Sequence, residues 1–369
     1  MNPVEVQVRA GDGLLDYPVR LALGLRGEVL PQLSEVAPKV SRWAVISDEN
    51  VSPLYAAEVA RSLAAAGRGG ELLTVPAGEA HKTREHWAAL TDVLLESGLG
   101  RDGGILAVGG GVVGDLAGFV AATFMRGVPV VQMPTSLLAM IDASVGGKTG
   151  VDTRHGKNLV GAFHPPRAVL IDPETIATLP REERSNGLAE ALKHGAILDG
   201  DYGARVAAAS ADVLDADPDA VLGVVHRSVQ LKADVVSRDE REGGLREILN
   251  YGHTVGHAIE QDSGYALAHG QAVARGMLWE AALGAGLGVT DPGTEDRLAK
   301  WLRGAELPAA RGDIDPARMV ELIGLDKKVR AGAPRVVLLE RIGTVARAGG
   351  SWSHTIEADA LREQLERLA

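Results

Sequence analysis

With 369 residues, 24% of them charged and 46% hydrophobic, the chain has globular proportions and length enough for two cores, which excludes the disordered, collagenous and fibrous classes. A net charge of −11 and an aromatic content of only 4% leave it without the electrostatic footprint or stacking platforms of a nucleic-acid binder. Cysteine is absent, so disulfides, thiolate metal sites and cysteine nucleophiles are ruled out, and any metal falls to histidine and carboxylate.

The N-terminus has no basic start followed by an apolar block, so it does not read as a signal peptide. The most apolar stretch, 128–141, is interrupted by Gln132 and Pro134 and ends at Asp142, short of the ~20 residues that a membrane span needs. A cytoplasmic protein with neither membrane nor nucleic acid as partner is expected. From 43 to about 170, β-rich runs at 43–48, 71–77, 104–110, 128–134 and 168–172 alternate with helical stretches at 52–66 and 84–97. That alternation implies βαβ units and a mainly parallel sheet. Beyond the turn at Pro180, strand signals nearly vanish, and 182–198, 220–236, 245–261 and 272–287 fit helices. The segment 334–347 is a late exception that reads as a short hairpin or extended arm. Residues 1–180 are thus expected to form an α/β domain and residues 181–369 an all-α domain.

Glycine is the outlier, 46 residues in all, or about 12% against a typical ~7%, and it concentrates between Gly103 and Gly161. The run Gly109-Gly110-Gly111-Val112-Val113-Gly114 fits G-x-G-x-x-G between a strand and the helical stretch 115–123. Such glycines let backbone approach a pyrophosphate at a helix N-terminus, although a tight strand-to-helix turn would look the same. No acidic ribose partner follows about 20 residues later. Asp48 and Asn50, or Glu79 and Lys82, are the available substitutes. The string SVGGKTG fails as a P-loop because Asp142 stands where glycine is required. What remains is Asp142, Lys148, Lys157 and Asn158 in one glycine-rich stretch, a set suited to hydroxyl, phosphate or carboxylate groups, or else solvated loop charge.

His253 and His257 stand at i and i+4 on one helical face, and His269 follows. With Glu190, which lies on a largely apolar helix, they make a His and carboxylate candidate set, Glu190 having the alternative of pairing with Lys193. No HEXXH or Gly-x-Ser-x-Gly occurs, so metalloprotease and serine hydrolase readings have no support. Lys193, Lys232, Arg246, Lys327 and Lys328 supply cations in an acidic protein, which points to an anionic substrate, with surface solubility as the plainer account of the last two.

Taken together, GGGVVGDLAGFVAATFMRGV, PTSLLAMIDASVGGKTGVDT, GKNLVGAFHPP, LAEALKHG, DEREGGLREILNYGHTVGHAIE and LAHGQAVARGM resemble the 3-dehydroquinate synthase family of sugar phosphate cyclases over roughly 45–339. The resemblance implies an N-terminal dinucleotide-binding α/β domain followed by a helical metal-binding domain. It implies NAD and one divalent metal per subunit, zinc or cobalt, held by Glu190, His253 and His269. Proton transfer would fall to His257 and Glu242, and substrate contacts to Asp142, Lys148, Asn158, Lys193, Lys232, Arg246, Asn250 and one of Lys327 and Lys328. Arg126 matches an arginine that reaches the neighbouring subunit, implying a homodimer. The cofactor positions would be Asp48, Asn50, Glu79, Lys82, Gly110, Gly111, Val112, Asp115, Thr135, Ser136, Lys157, Thr178 and Asn186. Gln271 and Gly150 depart from the common family pattern, and neither is an expected ligand. The implied reaction converts 3-deoxy-D-arabino-heptulosonate 7-phosphate to 3-dehydroquinate and phosphate, a step of the shikimate pathway to aromatic amino acids, with NAD recycled within each turnover. Another sugar phosphate cyclase, a metal-dependent polyol dehydrogenase and an inactive binding module are the rivals.

Overall fold

The computed structural model describes residues 3–10, 15–324 and 333–368; the expected substrate lysines Lys327 and Lys328 lie outside them. The chain divides into two compact units, Met1–Leu179 with Val221–Ser237, and Pro180–Ala220 with Arg238–Ala369.

Among the described residues the first unit holds nine strands: β1 (Val4–Arg9), β2 (Asp16–Leu21), β3 (Arg42–Asp48), β4 (Gly69–Val75), β5 (Gly103–Gly109), β6 (Val130–Pro134), β7 (Lys148–Thr153), β8 (Gly156–Phe163) and β9 (Ala168–Ile171). Its helices are α1 (Val29–Val36), α2 (Ala57–Ala65), α3 (Arg84–Glu96) and α4 (Gly111–Thr123). Seven strands form one sheet in the order β1-β2-β9-β6-β5-β3-β4. All its pairings are parallel except that of β1 with β2. The central strands β5, β6 and β9 are buried along their whole length, which is why they read as unbroken apolar runs: helices cover both faces of the sheet. In β3 the alternation is explicit. Trp43 and Val45 pack with Leu33 of α1 and Leu63 of α2, while Ala44 and Ile46 pack with Leu94 of α3 and Leu116 of α4. The N-terminal pair β1–β2, absent from the sequence expectation, extends the sheet through Val19 and Leu21 against β9. Chain order reverses at β3, which has β4 on one side and β5 on the other. A parallel sheet takes ligands at such a switch point, beyond the carboxyl ends of its strands. The glycine-rich stretch after Gly146 is a hairpin: β7 and β8 pair antiparallel with Gly150 opposite Gly161.

The second unit is helical: α5 (Arg181–Leu198), α6 (Gly200–Leu214), α7 (Pro218–Arg238, of which Val221–Ser237 belong to the first unit), α8 (His253–Asp262), α9 (His269–Gly286), α10 (Thr294–Gly304), α11 (Pro316–Gly324) and α12 (Ala358–Leu368). The expected arm at 334–347 contains a short antiparallel pair, Leu339–Arg341 with Thr344–Val345. The helix expected over 245–261 is not continuous. A 3-10 turn, Leu245–Asn250, ends at Tyr251, and Gly252 takes φ 78°, a left-handed conformation that an ordinary side chain disfavours. The break makes His253 the first residue of α8. It is held by Tyr251, whose buried hydroxyl donates to Met277 O of α9 (2.9 Å).

Helices α8 and α9 approach closely through glycine. A Cβ at 276 would collide with Gly252 O and come within 2.7 Å of Gly256 N, and neither backbone atom can move without separating the helices. Gly276→Ala is therefore expected to cost about 1–3 kcal/mol in denaturant unfolding, the usual range for overpacking. Gly223→Ala on α7, where an added Cβ meets nothing within 4 Å, serves as the control and should be neutral or gain up to about 1 kcal/mol from helix propensity.

Candidate active site

Most of the expected cofactor positions of the first unit gather at the carboxyl ends of its parallel strands. Asp48 ends β3, and its Oδ1 accepts from the amides of Asn50 and Val51, both at 2.9 Å, closing a tight turn. Gly110 precedes α4 and offers it no side-chain cap, so the first amides of the helix keep their donors for another partner. Cβ atoms at Gly110 and Gly111 would lie 3.3 Å from Ser136 Oγ and 3.2 Å from Ala143 Cβ. Gly114, the last glycine of the motif, would bring a Cβ within 2.9 Å of Gln132 Oε1 on β6, which is the close helix-to-strand packing that position serves. Bare amides, a glycine-lined approach and Asp48 at the switch point fit a dinucleotide phosphate and ribose. Thr135 and Ser136 follow β6, Ser136 Oγ accepting from Ala139 N (3.3 Å). Thr178 Oγ1 bonds Tyr55 Oη at 2.7 Å.

Beside this end of the sheet, Lys82 is a buried hub. Its Nζ lies 2.7 Å from Glu79, 3.3 Å from Asp115 and 3.6 Å from Asp152, and it donates to Asn158 Oδ1 at 2.9 Å. Burial would lower the Lys82 pKa, but the Asp115, Glu79 and Asp152 carboxylates outweigh it and hold the ammonium well above its ordinary value. Burial pushes Asp115 up to about 6 despite Lys82. For Glu79, burial is outweighed by Lys82 and then Lys157, which bring its carboxyl below the usual range. Asp152, unmarked in the sequence, also accepts from Asn158 N (2.8 Å), so two groups fix the Asn158 side chain and backbone. Lys232 pairs with Asp142 at 2.8 Å and donates to its carbonyl as well. Lys148 opens β7. Arg126 is exposed in the turn after α4. Arg126 (φ 67°), Asn158 (φ 57°) and, in the second unit, Glu242 (φ 59°) all sit in the left-handed region. Such strain in non-glycine residues concentrates at functional positions.

In the second unit, Glu190 lies in a continuously buried stretch of α5. Its Oε1 is 3.6 Å from both His253 Nε2 and His269 Nε2. Lys193 lies against Oε2, yet neither carboxylate oxygen accepts a hydrogen bond of good geometry. His253 Nδ1 donates to Tyr251 O (3.1 Å). A carbonyl can only accept, so in the neutral ring Nε2 carries the lone pair, and it faces Glu190. His269 Nδ1 faces Glu260, 3.6 Å away, with Nε2 again toward Glu190. Donor atoms of Glu190, His253 and His269 lie within 4.8 Å of one another. Burial opposes the Glu190 charge, but Lys193 and His269 prevail and hold its carboxyl well below the usual range. Burial likewise works against the His269 imidazolium, and Glu190 with Glu260 overcomes it, raising His269 to about 9. The pocket attracts positive charge. A buried carboxylate without good hydrogen-bond donors and two converging imidazole nitrogens fit a zinc-type or cobalt-type divalent cation, with coordination left for substrate.

His257 stands beside this set, its ring centroid 5.2 Å from that of His253 and 6.1 Å from that of His269. Glu242 Oε1 accepts from Asn250 Nδ2 at 2.8 Å, and Arg246 donates to Glu240 O at 2.5 Å. Asn186, expected at the cofactor, uses its Oδ1 to accept from Gly270 N and donates to Glu183 (3.2 Å), which anchors the start of α9 beside His269. Sequence reasoning missed Glu260, three residues after His257 on α8. The only available signal was a carboxylate at helical spacing from a histidine.

The model for the 3-dehydroquinate synthase N-terminal domain matches residues 72–186, and that for the C-terminal domain matches 187–329. A 3-dehydroquinate synthase from Symbiobacterium thermophilum is 42% identical over 95% of this chain and 98% of its own. Among solved structures, a 2-epi-5-epi-valiolone synthase from Streptomyces hygroscopicus subsp. jinggangensis with NAD+ and Zn2+ bound is 29% identical. It aligns with TM-score 0.84 over 95% of this chain and 96% of that one. A 2-deoxy-scyllo-inosose synthase complexed with carbaglucose-6-phosphate, NAD+ and Co2+ shares the fold at TM-score 0.86, with 24% identity over 99% of both chains. With both halves of its length matched in order, the chain belongs to the 3-dehydroquinate synthase family.

Proposed function

We propose that the protein is a cytoplasmic, homodimeric 3-dehydroquinate synthase that uses catalytic NAD and one divalent metal to convert 3-deoxy-D-arabino-heptulosonate 7-phosphate to 3-dehydroquinate and phosphate. It is thus a carbon-oxygen lyase of the shikimate pathway. The observation that carries this reading is the convergence of Glu190, His253 and His269 in a chain of that family. The first unit is assigned to NAD and the second to the metal. Among the described residues no helix is long and apolar enough to cross a membrane.

When bound, NAD supplies a hydride acceptor that is regenerated within the turnover, and a cation held by Glu190, His253 and His269 supplies Lewis acidity toward substrate oxygens. The residues of the chain provide the rest. The uncapped amides after Gly110 bind the pyrophosphate, and Asp48 accepts from a ribose hydroxyl. Because Lys82 holds the Asn158 carbonyl oxygen, the Asn158 amide nitrogen is directed as a donor to substrate. In the first unit Lys148, Lys232 and Asp142 orient anionic and hydroxyl groups, and in the second Lys193, Arg246 and Asn250 do so. Positive charge on these lysines and Arg246 stabilises the departing phosphate. His257 is not a ligand, and it moves the proton that elimination releases, with Glu242 as the second proton-handling group. Arg126, exposed after α4, is assigned to the partner subunit's site.

The structural neighbours favour one second reading, a cyclase for a different sugar phosphate. Incubating purified zinc-loaded protein and catalytic NAD+ with the heptulosonate phosphate or with sedoheptulose 7-phosphate separates the two. Phosphate release and an NMR-identified dehydroquinate product from the first alone are expected, and turnover of the second alone would establish the other cyclase. Glu190→Ala and His253→Ala should abolish activity and bound metal together, whereas His257→Ala should slow turnover by about 10²-fold or more with metal retained. Full metal content in either of the first two would remove them from the ligand set. Arg126→Ala should be inactive alone and regain activity in mixed dimers with Glu190→Ala, and mixed dimers as inactive as their parents would count against an arginine acting across the interface.

A further inference from the structure

Glu280 is a carboxylate with no solvent exposure, on α9, that no motif and no step of the reaction uses. Its two oxygens accept three backbone hydrogen bonds, all at one place. Oε2 takes the amide of Gly252 (2.6 Å), and Oε1 takes those of Thr254 (3.1 Å) and Val255 (3.2 Å). These amides bracket His253 and belong to the start of α8, where no local side chain caps the helix. The first amides of a helix have no partner within it, and a carboxylate there also meets the positive end of the helix dipole. Glu280 therefore caps α8 from a neighbouring helix.

Its reach depends on the glycine contact already described. Gly276 lies one turn before Glu280 on the same face of α9, and a side chain at 276 would strike Gly252 O. Only at this separation can the Glu280 carboxylate meet the α8 amides. On the far side of Gly252, the Tyr251 hydroxyl is tied to Met277 O, and the Tyr251 carbonyl takes His253 Nδ1. The His253 ring is thus oriented by backbone on both sides of Gly252, and that backbone is registered to α9 at Met277 and Glu280.

We infer that Glu280 is a positioning residue for the metal centre, a buried cap that sets the direction of His253 Nε2 toward Glu190. This rests on the assignment of Glu190, His253 and His269 as metal ligands. Glu280→Gln keeps the shape but replaces one acceptor oxygen by an NH2 that faces backbone donors. Loss of an outer partner of a metal ligand typically lowers metal affinity about 10–100-fold.

The test measures Co2+ and Zn2+ affinity of the whole protein by chelator competition, together with the visible spectrum of the Co2+ form, for wild type, Glu280→Gln, Glu280→Asp and Trp279→Phe. Trp279 is the buried neighbour of Glu280 on α9 and packs in the apolar cluster, so its variant reports loss of stability alone. Expected are weaker metal binding by about 10–100-fold and a shifted cobalt spectrum in Glu280→Gln, with Trp279→Phe less stable but unchanged in affinity and spectrum. Glu280→Asp retains the charge on a shorter arm and should fall between Gln and wild type, which keeps the inference testable if Glu280→Gln does not fold. Wild-type affinity and spectrum in the Glu280 variants, or equal losses in Trp279→Phe, would overturn it. Wild-type protein that binds neither ion, or binds it undiminished in His253→Ala, would instead overturn the ligand assignment beneath it.

Discussion

The Glu190 carboxylate is wholly buried on a helix whose neighbouring positions are nearly all buried too, and a charge left uncompensated there would cost several kcal/mol. Much of the architecture of the second unit answers that constraint. Lys193, one turn along α5, supplies the nearest positive charge. His253 and His269 open α8 and α9, and both turn Nε2 toward the same oxygen. Each ring is held from behind, His253 by a carbonyl and His269 by Glu260. A carboxylate prepared in this way, with two imidazole nitrogens within 4.8 Å of it, has the donor set of a divalent-cation site as well as the charge pairing of a structural ion pair.

The first unit meets the opposite electrostatic demand with less charge. What it offers an anion are backbone amides that the N-cap glycine leaves without a side-chain cap, on a helix that Gly114 lets lie close to β6. Charged groups there are mostly spent on one another. Lys82 gathers three carboxylates and Asn158 into one buried cluster. The hub thereby ties Lys82 and Glu79, which follow β4, to α4 and to the β7–β8 hairpin, so residues contributed by three elements hold a common geometry. Strain at Asn158 is sustained by the same contacts.

Much of this was legible in the residue order, and the reason is local. Apolar runs of strand length separated by helical stretches declare a parallel sheet, since both faces of such a sheet are covered. Glycines after β5 declare a close backbone approach, and histidines at helical spacing declare a shared face. The residues alone grouped Glu190 and His269 with His253 and His257 as candidates, and the family strings implied that Glu190, His253 and His269 would be the ligands and His257 would not. Other features stayed hidden. The N-terminal strand pair has weak alternation on one face only, and the interruption of the expected helix over 245–261 hinges on Tyr251 reaching Met277.

By itself, then, the sequence determined the alternating α/β half, the helical half, the chemistry of the groups and the family. Tertiary structure alone decided that Asp48 and the α4 amides share a switch point, that Glu260 backs His269 and that Glu280 caps the helix which His253 begins. Those decisions rest on hydrogen bonds between elements distant along the chain. Local periodicity records which face of a helix is apolar, but it does not record which neighbour will satisfy that helix's first amides.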